Sequence, residues 1–365
     1  MRKKKISLFL PDFNNDEIRA ATKTLRSGFW ASGGGTNKVL EFETKFKKFI
    51  GAKDCVAVDS GTAALHLALS MTNLKNKEVL VPSFTFASTV NAILYNGGKP
   101  VFVDIDPNTL NIDIQDLENK ITKKTSLILP VYYAGLHSSI KQIQKISKNY
   151  NLEVVSDAAH ACGANFNQKK IGTEFDYVCF SFHPVKNLAM PKGGMIALNG
   201  KNHSSIKKKL NSLRWCGISD RNGPFYDISL LGFNYYMEEI SASIGLSQLK
   251  KLNSMNARRI KIAKRYFKEL EISHKMPITN DSCYHLYWII VKNRKKFREF
   301  MFKKGIETGI HYPSVHLMSL YRKKIKLPIT EKISQDIVTL PIRSNLDDTS
   351  LNYIIKTVNS YFKKI

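Results

Sequence analysis

The sequence is short of acid. Its 365 residues carry 30 Asp and Glu against 56 Lys and Arg, a formal charge of +26. Such an excess attracts nucleic acid or small anions. The lysines are scattered, in runs such as KNKE, ITKKT, NQKK, SIKKKL, VKNRKKF and YRKKIK. None forms a long basic arm, and aromatic residues do not alternate with them as a base-stacking surface requires. No nucleic-acid partner is expected, and the charge suits a phosphorylated small molecule. Cysteine is also scarce. Cys55, Cys162, Cys179, Cys216 and Cys283 are odd in number and widely spaced, with no CxxC pair. That excludes a disulfide framework and a cysteine zinc site, and no metal is expected. No apolar run approaches the roughly 20 residues of a membrane span. The basic opening MRKKKISLFLPDF has too short an apolar part for a signal peptide. A cytoplasmic protein without a membrane partner is the expectation.

What is present is an alternation of strand and helix signals. Residues 1–50 read as an opening segment. DEIRAATKTLRSG has helical spacing and a Gly stop, FWASGGGTNK is a flexible turn, and KVLEFETKFKKFIG is a second helix. Short apolar runs at 55–58, 78–81, 101–104, 127–131, 153–156, 177–181 and 194–198 predict strands, with helices at 62–72, 87–96 and 138–149. That alternation predicts an α/β fold around a mostly parallel seven-stranded sheet, covered on both faces. Residues 200–236 read as irregular. The amphipathic run from Met237 to Leu270 reads as one long helix linking two units. The expected division is a large unit at 1–240 and a smaller α+β unit at 241–365, with a strand in HLYWIIV and a terminal helix.

Reactive side chains gather at strand exits, where open α/β sheets bind ligands. Asp157 ends one run, Ser181 and His183 another, and Lys186 follows 29 residues after Asp157. A carboxylate there could keep a pyridine nitrogen protonated, and an amine could hold an aldehyde as an imine. In this lysine-rich chain a solvated Lys186 is the ordinary alternative, but its place between strands, followed by KGG, argues against it. DSGTAALHLALS follows a strand and opens a helix. Gly61 and Thr62 could cradle a phosphate there, or the motif is an ordinary cap. Phe84 and Phe86 fall in a similar turn. Phe84 reads as core, and DIDP around Asp104 and Asp106 reads as a turn.

Several of these segments together resemble one family. SGTAALHLAL, PSFTFASTVNAIL, KPVFVDIDPNTLNID, SDAAHACGA, FSFHPVKN, KGGMI, GFNYYMEEISASIGLSQL and GIETGIHYPSVHL occur in that order. They resemble the DegT/StrS-type sugar aminotransferases of the fold type I pyridoxal-phosphate superfamily, from about Ile6 to Ile354. The resemblance implies Lys186 as Schiff-base lysine and Asp157 as partner of the pyridine nitrogen. It implies His160 near the cofactor's phenolic oxygen, Gly61, Thr62 and Ser181 at its phosphate, and Phe86 on its ring face. Asn234 would reach the phosphate of a neighbouring subunit in a homodimer with shared sites. His311 and Tyr312 would lie towards a sugar-nucleotide entrance.

The implied activity moves an amino group from glutamate, through pyridoxamine phosphate, to a keto group of a nucleotide-linked deoxysugar for polysaccharide, lipopolysaccharide or glycoside synthesis. Relatives that deoxygenate or dehydrate sugars have His in place of the lysine, so Lys186 favours transfer. Intact Asp157 and Lys186 likewise disfavour a non-catalytic regulatory homologue. Three positions depart from the pattern. Lys192 stands where GEGG has its acid, Tyr236 stands for an Arg, and Cys216 stands where many members have His.

Overall fold

The computed structural model describes residues 5–137, 139–322 and 325–363. The first four residues of the basic opening, Lys323 and Lys324 of YRKKIK, and the last two residues of the terminal segment lie outside the described residues.

Two helices open the chain, α1 (Asn15–Arg26) and α2 (Asn37–Ile50). Asn14 and Glu17 cap the first reciprocally, and Gly51 ends the second in the left-handed conformation at φ 79°. Strands and helices then alternate as β1 (Asp54–Val58), α3 (Gly61–Ser70), β2 (Glu78–Pro82), α4 (Ala87–Tyr95), β3 (Lys99–Val103), α5 (Ile114–Asn119), β4 (Thr125–Ile128), α6 (Ile140–Asn149) and β5 (Glu153–Asp157). A small hairpin, β6 (Asn165–Phe166) and β7 (Lys169–Lys170), precedes β8 (Tyr177–Ser181) and β9 (Gly194–Leu198). The main sheet has seven strands in the order β1-β9-β8-β5-β4-β2-β3. Only β9 runs against its neighbours, pairing antiparallel with β1 and β8.

Each strand feeds two cores, because successive side chains point to opposite faces. Cys55, Ala57, Leu80, Val178 and Phe180 join one apolar cluster with α2, α6 and α8 (Glu239–Glu269). Val56, Val58, Val79, Val81 and Cys179 join another with α3 and α4. Both faces are dry, which is why the strands read as continuous apolar runs.

A third cluster is built mainly from residues after 260, joined by Phe84, Ile105, Leu110, Tyr133, Ala134 and Leu136. It holds β12 (Tyr287–Ile290) paired antiparallel with β13 (Ile337–Leu340), α9 (Arg294–Lys303) and α11 (Asp348–Phe362), with α10 (Pro328–Asp336) alongside. Helix α8 serves two cores. Leu246, Leu252 and Met255 belong to the sheet's cluster, and Ile262, Ala263 and Tyr266 to the third. Ile6 also packs into this third cluster, its N–H donating to Gly305 O at 2.8 Å.

Residues 200–236, expected to be irregular, contain α7 (His203–Leu213) and a hairpin of β10 (Ile218–Asn222) and β11 (Phe225–Ile228). The helix buries a short stripe among lysines, with Leu210 and Leu213 in the core, and Gly223-Pro224 makes the two-residue hairpin turn between paired Asn222 and Phe225.

Asp104 does more than end a strand. Its carboxylate accepts from Ile329 N, Thr330 N and Thr330 Oγ1, and so caps α10. Among the described residues no group of three or more His, Cys, Asp or Glu is placed to hold a metal ion. No described helix is long and apolar enough to cross a membrane.

The glycine run at 33–35 is pinned by close packing. A Cβ at Gly33 would sit 2.1 Å from the Trp215 ring, and one at Gly35 would sit 2.0 Å from Arg214 Nη2. Arg214 is itself buried, donating to Glu43 Oε1 at 2.6 Å and Ala57 O at 2.7 Å. Removing one partner of such a pair strands a buried charge. Arg214→Met is expected to cost about 3–5 kcal/mol of stability, and Arg214→Met with Glu43→Leu less than that. Denaturant midpoints of the two variants check both expectations.

Candidate active site

The C-terminal ends of β1, β5 and β8 and the start of β9 face one cavity of about 330 Å³. Gly61, Thr62, Phe86, Asp157, His160, Ser181, Lys186, His311 and Tyr312 all line it. Asn234 stands apart, exposed, its backbone bridging to Trp215.

Asp157 closes β5 and is almost wholly buried. Its Oδ2 accepts from Thr89 Oγ1 at 2.8 Å and its Oδ1 from Ala159 N at 3.0 Å. Since Thr89 spends its only hydrogen there, Thr85 is the donor in the 2.9 Å hydroxyl contact between them. Burial raises the Asp157 carboxyl above its ordinary value. The bonds from Thr89 and Ala159 and the nearby Lys186 ammonium oppose that rise.

Lys186 lies in the turn between β8 and β9, its N–H donating to His183 O at 2.8 Å. Burial lowers its amine from 10.5 to about 8, against the pull of Asp157. The next residue anchors this turn. Asn187 Nδ2 donates to Asn256 Oδ1 of α8 at 2.8 Å and to Cys283 O at 2.9 Å, and His285 Nδ1 meets its Oδ1 at 3.2 Å.

His160 sits under the cavity with a fixed tautomer. Its Nδ1 accepts from Ala134 N at 3.2 Å, so the ring proton is on Nε2, which faces Tyr312 Oη at 3.1 Å. Burial and the Lys186 charge push His160 well below its ordinary value. The same causes, with Arg298, lower His311 to about 4. Its Nδ1 meets Thr339 Oγ1 at 2.8 Å, and Tyr133 donates to its carbonyl. Phe84 is fully buried, while Phe86 at the start of α4 is 59% exposed, its ring 5.9 Å from that of Tyr312.

The other end of the cavity is shaped by glycine. A Cβ at Gly61 would meet Ser181 Cβ at 2.7 Å, so the first turn of α3 closes onto the end of β8 only because that atom is missing. Ser60 Oγ caps the helix by accepting from Ala63 N. Thr62 and Ser181 add hydroxyls beside the exposed helix terminus, a setting that attracts anions. A buried carboxylate, an amine of lowered basicity and an anion cradle share one cavity. This donor set fits a phosphorylated pyridine aldehyde.

Comparison with known proteins now decides the lineage. Residues 11–359 match the DegT/DnrJ/EryC1/StrS aminotransferase family. The chain belongs to that family. It is 34% identical to the spore coat polysaccharide biosynthesis protein SpsC of Bacillus subtilis, over 97% of this chain and 96% of that one. It is similar in structure to Spr1654 of Streptococcus pneumoniae in its PMP form, with a TM-score of 0.93 at 29% identity, covering 99% of this chain and 98% of that one. Helicobacter pylori PseC, an aminotransferase involved in the biosynthesis of pseudoaminic acid, also gives 0.93, at 26% identity over 99% and 100% of the two chains. Spr1654 is known in a PLP form as well. Aminotransferases of the DegT/StrS family are pyridoxal-phosphate enzymes, and pyridoxal 5′-phosphate is the cofactor of this chain. The fold is that of fold type I.

Sequence reading missed Thr89, Asn187 and His285. Thr89 lies one helical turn beyond Thr85, but nothing in the sequence says that it will meet Asp157. The ring of His285 lies tilted against that of His160, 4.4 Å between centres, from 125 residues away in the chain.

The amine of Lys186 should titrate near pH 8 in the apoprotein, its labelling by an amine reagent rising through that pH. The Asp157 carboxylate favours the ammonium, so Asp157→Asn should lower this midpoint and make Lys186 about fivefold more reactive at pH 7. Mass-spectrometric labelling across pH checks both the position and the sign.

Proposed function

We propose that this chain transfers an amino group from an amino acid, glutamate in the preferred reading, to a keto group of a nucleotide-linked deoxysugar. The observation that carries the reading is the pairing of Lys186 and Asp157 in one cavity with the Gly61, Thr62 and Ser181 cradle. The links of SpsC to spore coat polysaccharide and of PseC to pseudoaminic acid support a sugar acceptor and a place in polysaccharide, lipopolysaccharide or glycoside synthesis. The charge of +26 supports an anionic, nucleotide-linked acceptor. A cytoplasmic homodimer is part of the proposal. Exposed Asn234 would reach the cradle of a partner subunit.

When bound, pyridoxal phosphate supplies an electron sink that stabilises the negative charge left at the donor's Cα. Lys186 would hold the aldehyde carbon through its nitrogen. At pH 7 an amine titrating near 8 is neutral in about a tenth of molecules, against about one in a few thousand for an ordinary lysine. Burial thus makes Lys186 a competent nucleophile. Lys186 would also be the base that takes the proton from the donor's Cα. Asp157, its oxygens fixed by Thr89 and Ala159, would face the ring nitrogen and keep it protonated. His160 and Tyr312, in contact at 3.1 Å, would lie to the side of the ring. Gly61 N–H, Thr62 and Ser181 hold the phosphate at the helix terminus. Phe86 covers one ring face, and His311 with Tyr312 borders the acceptor's path.

Lys186→Ala is expected to abolish the visible absorbance of bound pyridoxal phosphate and to lower transfer by about 10³-fold or more. The acceptor class is tested by mixing the pyridoxamine form with a panel of 3-keto and 4-keto nucleotide sugars while following return of that absorbance. Return with one of these sugars supports the proposal. Return with free 2-oxo acids alone rejects the sugar acceptor, and a wild-type protein that takes up no pyridoxal phosphate rejects the site.

A further inference from the structure

The anion cradle contains an anion of its own. Asp59 immediately precedes the cap of α3, and its carboxylate lines the same cavity as Gly61, Thr62 and Ser181. Its Oδ1 accepts from Ser60 Oγ at 2.9 Å, and Ser60 Oγ in turn accepts from Ala63 N. The carboxylate therefore sits at the positive end of the helix, where a phosphate would also go. Two anions at one helix terminus repel each other, and most strongly where solvent is thin.

Lys192 answers that charge. Its Nζ donates to Asp59 Oδ2 at 2.6 Å, and it too lines the cavity. Backbone geometry brings it there. Gly193 bridges to Ser60, and a Cβ at Gly194 would lie 2.3 Å from Ser60 O, so the chain entering β9 can press against the α3 turn only with glycine at that position. The pair adds little to folding, because the Lys192 side chain is 62% exposed and exposed ion pairs contribute weakly. Its value lies in the field at the cradle. An acid at position 192, as in the commoner GEGG pattern, would set two carboxylates face to face across the cradle.

We propose that Lys192 is a charge-compensating residue of the cofactor site: it neutralises Asp59 so that the phosphate of pyridoxal phosphate can occupy the α3 terminus. The inference rests on the reading of Gly61, Thr62 and Ser181 as the phosphate cradle. It assigns a matched function to two positions 133 residues apart. Asp59 supplies the acid that polarises the cap hydroxyl, and Lys192 cancels its repulsion toward the ligand.

The test titrates apoprotein with pyridoxal 5′-phosphate and, separately, with pyridoxal, which lacks the phosphate, following absorbance and fluorescence. Lys192→Gln should weaken binding of the phosphorylated form about tenfold and leave pyridoxal unchanged. Lys192→Glu should weaken it further, and Lys192→Arg should keep it near wild type. Asp59→Asn placed on Lys192→Gln should restore it. Thermal melts of the ligand-free variants, expected to match wild type, separate these effects from misfolding. Unchanged affinity in Lys192→Gln, an equal loss for pyridoxal, or no rescue by Asp59→Asn overturns the proposal. Thr62→Ala and Ser181→Ala serve as the control. If they weaken phosphorylated ligand and Lys192→Gln does not, the compensation alone is wrong. If none of the three does, the cradle reading has failed and the proposal with it.

Discussion

Everything at this site depends on burying an amine and a carboxylate in the same cavity. Desolvation disfavours both charges, lowering Lys186 and raising Asp157. Each charge is favoured by the other, and that of Asp157 also by hydrogen bonds from Thr89 and Ala159. Those two bonds matter beyond their own strength. They occupy both carboxylate oxygens from behind, so Asp157 is fixed and does not collapse onto the lysine. Lys186 is left with an amine that is neutral often enough to react.

The fold's task is to hold that balance rigid. The parallel strands end on one edge of the sheet, where Asp157 and Ser181 are delivered by adjacent strands in fixed register. The reversed strand β9 brings the chain back past Ser60, so that the lysine turn is tied at both ends. Asn187 then ties its middle to α8 and to the Cys283–His285 segment. Helix α8 spans two apolar clusters, so the lysine's position is coupled to the packing of both.

The sheet was readable in the sequence because its strands are buried on both faces. Runs such as Cys55–Val58 and Tyr177–Phe180 are apolar without interruption, and flanking Gly and polar residues mark their ends. The residues lining the cavity were readable for the same reason: a strand's exit is also where the ligand sits. Helix α7 was hidden because its apolar stripe is short and set among lysines. The hairpin after it buries almost nothing, with Phe225 and Tyr226 exposed. Thr89 with Asp157, Asn187 with Asn256 and Asp59 with Lys192 were unreadable for another reason. Each pair is made by topology, between residues 68, 69 and 133 positions apart, and no local periodicity encodes such a meeting. The glycines at 33–35 suggested freedom, whereas packing against Trp215 and Arg214 uses them for close approach.

The surrounding histidines sharpen the assignment of proton transfer. His160, His285 and His311 are clustered around the cavity, and burial beside the Lys186 charge lowers all of them. At neutral pH they are neutral imidazoles. His160 can therefore offer an Nε2–H in a fixed direction, but it carries no proton that it can readily give up. His311, lowered to about 4, is likewise neutral at pH 7 and holds no such proton. Tyr312 is moved the other way, its hydroxyl made harder to ionise by burial and by the Asp157 charge. The environment that silences these groups is the one that brings Lys186 down to about 8. A single act of desolvation thus weakens the competing acids and bases around the cavity, which supports the proposal that Lys186 is the group that gains and loses a proton there.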